Sequence, residues 1–202
     1  MSKVLIINGH TPAPISPGRL NASLVDRARL FFEEKGSEVK ITNVSDVYDV
    51  EAEVERLTWA DIVIFQYPVN WMGLPWGFKK YLDEVLSAGL NGRLCAGDGR
   101  SEAAPKANYG MGGSLIETRY MLSLTFNAPS EAFDDPSEEF FGGKSVDDLM
   151  WPMHLNAKFI GMRQLPTFSA YDVFKNPEIA DNFERFDLHL RSVSQHLEVA
   201  AS

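Results

Sequence analysis

The chain has 202 residues, 45% of them hydrophobic and 23% charged, and its 28 Asp+Glu against 19 Lys+Arg give a net charge of −9. That length fits one domain with a sizeable core, read as a single domain over 1–202. The acidic balance speaks against nucleic acid or an anionic membrane as the main partner, since both demand concentrated positive charge, although a local basic pocket for a phosphate stays open.

Cys95 is the one cysteine, so no intrachain disulfide can form, which suits a reducing cytoplasm. The opening MSKVLIINGH has an apolar run too short for a signal core. No later segment approaches the ~20 apolar residues a membrane-spanning helix needs.

The chain alternates strand with helix, the pattern of an α/β fold with a parallel sheet. KVLIIN (3–8), a continuous apolar run bounded by Gly9, predicts a strand buried on both faces. Leu20, Leu24, Ala28, Phe31 and Phe32 then recur at helical spacing, with Gly36 as the stop. EVKITNV (38–44) alternates like a strand near a sheet edge, and Val50, Val54 and Leu57 mark a second helix. DIVIFQYP (61–68) is the third strand. Phe78, Leu82, Val85 and Leu86 form the face of a third helix with Pro75 near its first turn.

Residues 87–117, rich in Gly, Ala and polar residues, break this rhythm and predict an excursion with a small hairpin. YMLSLTF (120–126) is the fourth strand, and an acidic excursion follows over 127–145. In 145–161 Ser145 and Asp148 resemble a capping box, while Pro152 predicts either a kink or the true helix start. QLPTFSAY (164–171) is read as the fifth strand. After Asn176-Pro177, the residues Ile179, Phe183, Phe186, Leu190, Val193 and Leu197 form the core stripe of a long helix.

Five strands with interleaved helices allow a doubly wound sheet in the order 2-1-3-4-5. Ligands of such sheets sit beyond the carboxyl ends of the strands, at the switch point between strands 1 and 3. Three segments meet there. GHTPAPISPGRLNASL (9–24) opens a helix with Thr11, Ser16, Asn21 and Ser23 as donors and Arg19 as a cation, which reads either as an anion site or as a polar connector with an ordinary cap. It has neither G-x-G-x-x-G nor a P-loop Lys, which disfavours those nucleotide-binding modes. PVNWMG (68–73) offers the Asn70 amide, the Trp71 indole and the Met72 thioether to a planar ring. Trp71 could equally pack under the next helix, and Trp76, at that helix's first turn, is assigned to the core. TFNAP (125–129) supplies a hydroxyl and backbone N–H groups, or simply a turn.

The histidines are weak signals: His10 could reach a phosphate, His154 could be a core residue or a pocket donor, and His189 and His196 lie off the apolar stripe as solvated side chains. No His/Cys/Glu spacing predicts a metal, and no G-x-S-x-G elbow predicts a hydrolase.

Taken together, KVLIINGH (3–10), GRLN (18–21), WADIVIFQYP (59–68), NWMGLPW (70–76) with KKYLDEV (79–85), the Tyr109–Gly113 run, YMLSLTFNAP (120–129) with EAF (131–133), and FIGM (159–162) with LPTF (165–168) make this chain similar to a known family. From about residue 3 to 175 it resembles the flavodoxin-like NAD(P)H:quinone oxidoreductases, in particular their bacterial members. The resemblance implies a flavodoxin-like five-stranded parallel sheet with small inserted excursions. It also implies FAD bound non-covalently rather than FMN, NADPH or NADH as electron donor, a quinone as acceptor, a cytoplasmic setting under oxidative stress, and a homodimer whose interface completes the flavin site.

Carried over, the resemblance places Ser16, Pro17, Gly18, Arg19, Leu20, Asn21, Ala22 and Ser23 around the phosphates and Val69, Asn70, Trp71 and Met72 beside the isoalloxazine. Thr125, Phe126, Asn127 and Ala128 fall at its pyrimidine side, and Tyr109 contacts the cofactor from the inserted segment. Trp71 and Phe126 are the expected stacking faces of the substrate pocket, with Phe141, Tyr109 and His154 as further candidates. The implied chemistry is a two-electron, ping-pong hydride transfer from the nicotinamide through flavin N5 to the quinone. The chain departs from its mammalian relatives where they use a Tyr and a His near the flavin. Phe133 has no hydroxyl, and the acidic 134–140 stretch, where the His would fall, has none. No side chain is therefore assigned as catalytic. The competing readings are a non-catalytic flavoprotein partner of a potassium-efflux system and a one-electron carrier. The two excursions, which would shield a flavin edge, argue against the carrier.

Overall fold

The computed structural model describes residues 1–14 and 16–200, with backbone alone over 196–200. The side chains of His196 and Leu197, expected on the solvent side and the apolar stripe of the last helix, lie outside the described residues. The centre is a parallel sheet in the order β2-β1-β3-β4-β5. Its strands are β1 (Lys3–Asn8), β2 (Glu38–Asn43), β3 (Ile62–Pro68), β4 (Arg119–Thr125) and β5 (Arg163–Gln164), and β6 (Phe168–Ala170) also pairs with β4.

β1 and β3 are continuous apolar runs because they are covered on both faces. Successive side chains point to opposite sides of a strand, so Val4 and Ile6 join one core layer and Leu5 and Ile7 the other. The first layer is closed by α1 (Arg19–Glu34) and α6 (Ile179–Ala200), with Leu24, Ala28, Phe32, Phe186, Leu190 and Val193 buried. The second is closed by α2 (Val50–Trp59), α3 (Trp76–Ala88), the one-turn α4 (Val146–Leu149) and α5 (Trp151–Phe159).

Local chemistry sets the element ends. α1 stops as the glycine predicts: Gly36 has φ 78, its N–H donates to Glu33 O, and the Ser37 N–H donates to Phe32 O, a Schellman pair. The Ser145/Asp148 capping box opens α4, and Pro152 sits in the first turn of a new helix, α5, where its missing N–H costs nothing.

Three expectations are corrected. The stretch 164–171 is not one strand but β5 and β6, because Pro166 between them has no N–H for the ladder. Trp76 is not core: 74% of it is exposed. α3 buries Phe78, Tyr81, Leu82 and Val85, and a residue two positions before Phe78 lies about 200° round the helix from it, on the water side. His189 is not simply solvated, for its Nε2–H donates to Pro166 O at 2.9 Å and its ring lies against Phe168.

The 87–117 excursion closes on an antiparallel bridge between Cys95 and Gly113. Gly113 is needed there because a Cβ would stand 2.1 Å from the Gly161 nitrogen at the end of α5. Cys95 is fully buried beneath this loop. Among the described residues, no helix is long and apolar enough to cross a membrane.

Candidate functional site

A cleft of about 730 Å³ opens at the carboxyl ends of β1, β3 and β4, where the strand order reverses. Its near side is the loop between β1 and α1. Ala13 and Ser16 exchange backbone hydrogen bonds, and the buried His10 donates from Nε2 to Ser16 O at 2.9 Å. The His10 ring is therefore a pin under the loop and not a group facing a ligand. Gly18 caps α1 with φ 78, and a Cβ there would fall 2.4 Å from the His10 ring, so both conformation and space demand glycine. No side chain caps α1. Its first-turn N–H groups thus face the cleft with the positive end of the helix dipole, an arrangement made for an anion. Ser16, Pro17, Gly18, Arg19, Leu20, Asn21 and Ser23 all line the cleft, whereas Ala22 does not.

The second wall is the turn after β3. Val69 N–H is tied to Thr125 O at 3.0 Å, and Asn70 and Gly73 exchange both backbone bonds at 2.9 and 3.0 Å. The two residues between them, Trp71 and Met72, have φ 49 and 63. Two consecutive left-handed residues are the signature of a type I′ turn, which normally takes Asn-Gly. Holding non-glycine residues there costs on the order of 1–2 kcal/mol apiece. Among the described residues no side-chain packing on Trp71 offsets this cost, since Trp71 is 98% exposed. Strain held at a cleft mouth beside a bare indole points to use of that indole by a ligand. Val69 and Asn70 line the cleft beside it; Met72, also exposed, sits outside.

The floor is a buried polar row. Gln66 Nε2 donates to Asn21 Oδ1 at 2.8 Å, and Asn21 Nδ2 donates to Thr125 Oγ1 at 3.2 Å. These bonds join the ends of β3, α1 and β4, so the three loops form one rigid rim. Thr125 and Asn127 face the cleft.

Five expected residues are not brought there. The Phe126 ring turns into the second core layer, stacked on Tyr171 at 5.8 Å and edge-on to Phe133 at 5.2 Å. Phe141 stacks on Phe133 at 4.4 Å in the same aromatic cluster, and Ala128 packs beside it. His154 is committed elsewhere: the Tyr120 hydroxyl donates to its Nδ1 at 2.8 Å and its Nε2–H donates to Asp147 at 3.1 Å, near the opposite end of β4. Tyr109, 70% exposed, leans edge-on against Phe159 on the inserted loop, away from this chain's own cleft.

Sequence reasoning missed the far wall, made by Val173, Phe174, Pro177, Ile179 and Phe183. The available signal was that 171–178 follows the last strand and so must emerge at the same sheet edge as the other three loops. It also missed Gln66, a lone amide in an apolar run.

Titrating groups away from the cleft are structural. Hydrogen bonds from His154 and then Thr167 hold the Asp147 carboxyl below the usual carboxylate range. Burial pushes the Tyr67, Tyr81 and Tyr120 hydroxyls well above their usual range, so they stay neutral. A polar hollow of about 330 Å³ flanks β6, where Arg185 and His189 donate to the Ser169 and Pro166 carbonyls and so blunt the sheet edge.

The cleft thus combines an uncapped helix start, an exposed indole, a hydroxyl and an apolar far wall, features that suit a phosphorylated ligand with flat rings. The chain is 42% identical over 190 residues to the NADPH:quinone oxidoreductase MdaB of Haemophilus influenzae, covering 94% of this chain and 98% of that one. It is 43% identical over 191 residues to an uncharacterised protein of Schizosaccharomyces pombe, covering 95% and 96%. Among solved structures, a Klebsiella pneumoniae protein assigned as a quinone reductase superposes with TM-score 0.77 at 22% identity, covering 95% and 85%. The model of the flavodoxin-like fold family matches residues 2–195, and the chain belongs to that family.

Proposed function

We propose that this chain is a flavin-dependent NAD(P)H:quinone oxidoreductase that binds FAD without a covalent link and acts as a cytoplasmic homodimer. The observation that carries the reading is the strained Asn70–Gly73 turn, which presents a fully bare Trp71 across the cleft from the uncapped start of α1. A bound flavin would supply the redox chemistry of hydride transfer between a reduced nicotinamide and a quinone.

The protein's own work is binding and orientation. The N–H groups of α1's first turn, with Ser16 and Arg19, hold phosphate. Val69, Asn70 and Trp71 make an aromatic and amide face for the isoalloxazine. The Thr125 hydroxyl and the backbone beyond it offer donors to the ring's pyrimidine edge. FAD is favoured over FMN because the cleft continues past the phosphate loop to the apolar wall of Val173, Phe174, Ile179 and Phe183, a place for a second ring. A second copy is favoured because no described residue of its own chain covers Trp71. Tyr109, Met111, Trp151 and Leu155 are exposed apolar groups well away from the cleft, so Tyr109 of one copy would reach the cofactor of the other.

The alternative of a non-catalytic flavoprotein partner is separated by assay. Cofactor released from the purified protein and resolved by chromatography should be FAD. Steady-state reduction of a benzoquinone should give parallel double-reciprocal lines with one or both nicotinamides. Flavin-loaded protein that turned over neither quinones, azo dyes nor nitro compounds would sink the enzyme reading.

A further inference from the structure

The buried row at the cleft floor has a direction. Gln66 is 1% exposed, and Asn21 and Thr125 are each 4% exposed. Each bond in the row uses a nitrogen donor and an oxygen acceptor: Gln66 Nε2 to Asn21 Oδ1, then Asn21 Nδ2 to Thr125 Oγ1. Gln66 Oε1 is left without a partner, as is the hydroxyl of Ser123, its register neighbour on β4. In this direction one N–H and the Oε1 of the Gln66 amide lack partners; turned the other way, the Oε1 would be paired and both N–H donors left without partners. Orphaned buried donors are the rarer and costlier case.

A hydroxyl has one proton and two lone pairs. Thr125 already accepts from Asn21, and among the described residues no acceptor bonds to its proton. That proton is free to point into the cleft, which Thr125 lines. We infer that Gln66, through Asn21, is a positioning residue that commits the Thr125 hydroxyl to donate to an acceptor atom of the bound flavin. The inference rests on the flavin reading of the cleft and adds the residue that sets the polarity of one of its contacts. Gln66 itself touches no ligand. Its amide, placed in an otherwise apolar strand, is explained as the origin of the row.

The test reverses the row. In Gln66→Glu the ionised carboxylate can only accept, so it takes the Asn21 N–H. Asn21 then turns its oxygen to Thr125, and the hydroxyl proton is drawn away from the cleft. With apoprotein titrated by FAD and followed by flavin fluorescence, Gln66→Glu should bind about tenfold more weakly than wild type at pH 8, the size of one lost hydrogen bond with its acceptor left unpaired. As pH falls the buried carboxyl takes up a proton, becomes a donor again and restores the direction, so the ratio to wild type should return toward unity. Asn21→Asp should behave in the same way and serves if Gln66→Glu does not fold. Thr125→Val should lose the same factor at all pH values, Thr125→Ser should keep wild-type affinity, and Gln66→Glu combined with Thr125→Val should be no weaker than Thr125→Val alone.

Losses that multiply in the double variant, or a deficit independent of pH in both carboxylate variants, would overturn the inference while leaving flavin binding intact. Wild-type apoprotein that takes up neither FAD nor FMN would instead overturn the functional reading itself.

Discussion

Replacing Trp71 by Ala separates a ligand face from a packing residue. The side chain is 98% exposed, so its removal takes no apolar area from the folded core. Ala also inherits the same left-handed φ of 49, so the backbone strain is unchanged. The apoprotein should therefore unfold within about 0.5 kcal/mol of wild type, the scatter of surface substitutions. Bound flavin is another matter. An aromatic side chain offers ~150–250 Å² of surface. Covering one indole face buries ~100 Å², which at ~25 cal/mol per Å² amounts to ~2.5 kcal/mol. Part of that surface stays wet and Ala retains some contact, so a loss of ~1.5 kcal/mol, roughly tenfold in Kd, is expected. Urea unfolding of the apoprotein and FAD titration of the same preparation measure the two quantities independently. Trp76→Ala is the control. At 74% exposure and absent from the cleft lining, it should change neither value appreciably. A fall in apoprotein stability above 1 kcal/mol for Trp71→Ala, or an unchanged FAD affinity, would refute the assignment.

Gly18→Ala should cost about 1–2 kcal/mol for the left-handed conformation alone. It should also displace the His10 ring, which stands where the new Cβ must go, and thereby loosen the loop between β1 and α1. FAD affinity within twofold of wild type would contradict this. Asp147→Asn weakens the acceptor of bonds from His154, Thr167 and Gln164 and should destabilise the protein by about 1–2 kcal/mol at neutral pH. The folded-state pKa of Asp147 lies below its unfolded value, so its contribution is complete above the usual carboxylate pKa and disappears as pH falls through the folded value. The variant should accordingly lose less stability than wild type below about pH 4. Burial holds His189 below its usual pKa, so as pH falls the unfolded state takes the proton first. His189→Gln should flatten the decline in melting temperature that begins near pH ~6.5, and an identical slope in both proteins would remove His189 as its cause.

Much of this molecule follows from local pattern. Continuous apolar runs at 3–8 and 61–68 can be satisfied only by strands covered on both sides, which places helices on both faces of the sheet. Gly36, the Ser145/Asp148 box and Pro152 set their boundaries by backbone chemistry that acts within four residues. The sheet order then determines which loops meet, and so the whereabouts of the cleft, before any side chain is positioned.

What a side chain does at those loops depends on contacts far away in the chain. Phe126 and Thr125 are adjacent in sequence, yet alternation along β4 sends one to an aromatic cluster and the other to the cleft, and only the packing of Phe133, Phe141 and Tyr171 decides which. From the sequence, His10 could reach a phosphate and His154 could be a core residue or a pocket donor. The bonds from Tyr120 and to Ser16 committed both to structure. The Asn21–Thr125 bond spans 104 residues and the Gln66–Asn21 bond 45, so no local propensity could foretell them. Local pattern set the layers and the loops that form the site, and it allowed the strand order the sheet adopts. Tertiary structure decided which residues of those loops face the cleft and in which direction their hydrogen bonds run, because burial and hydrogen-bond partners are properties of the assembled chain.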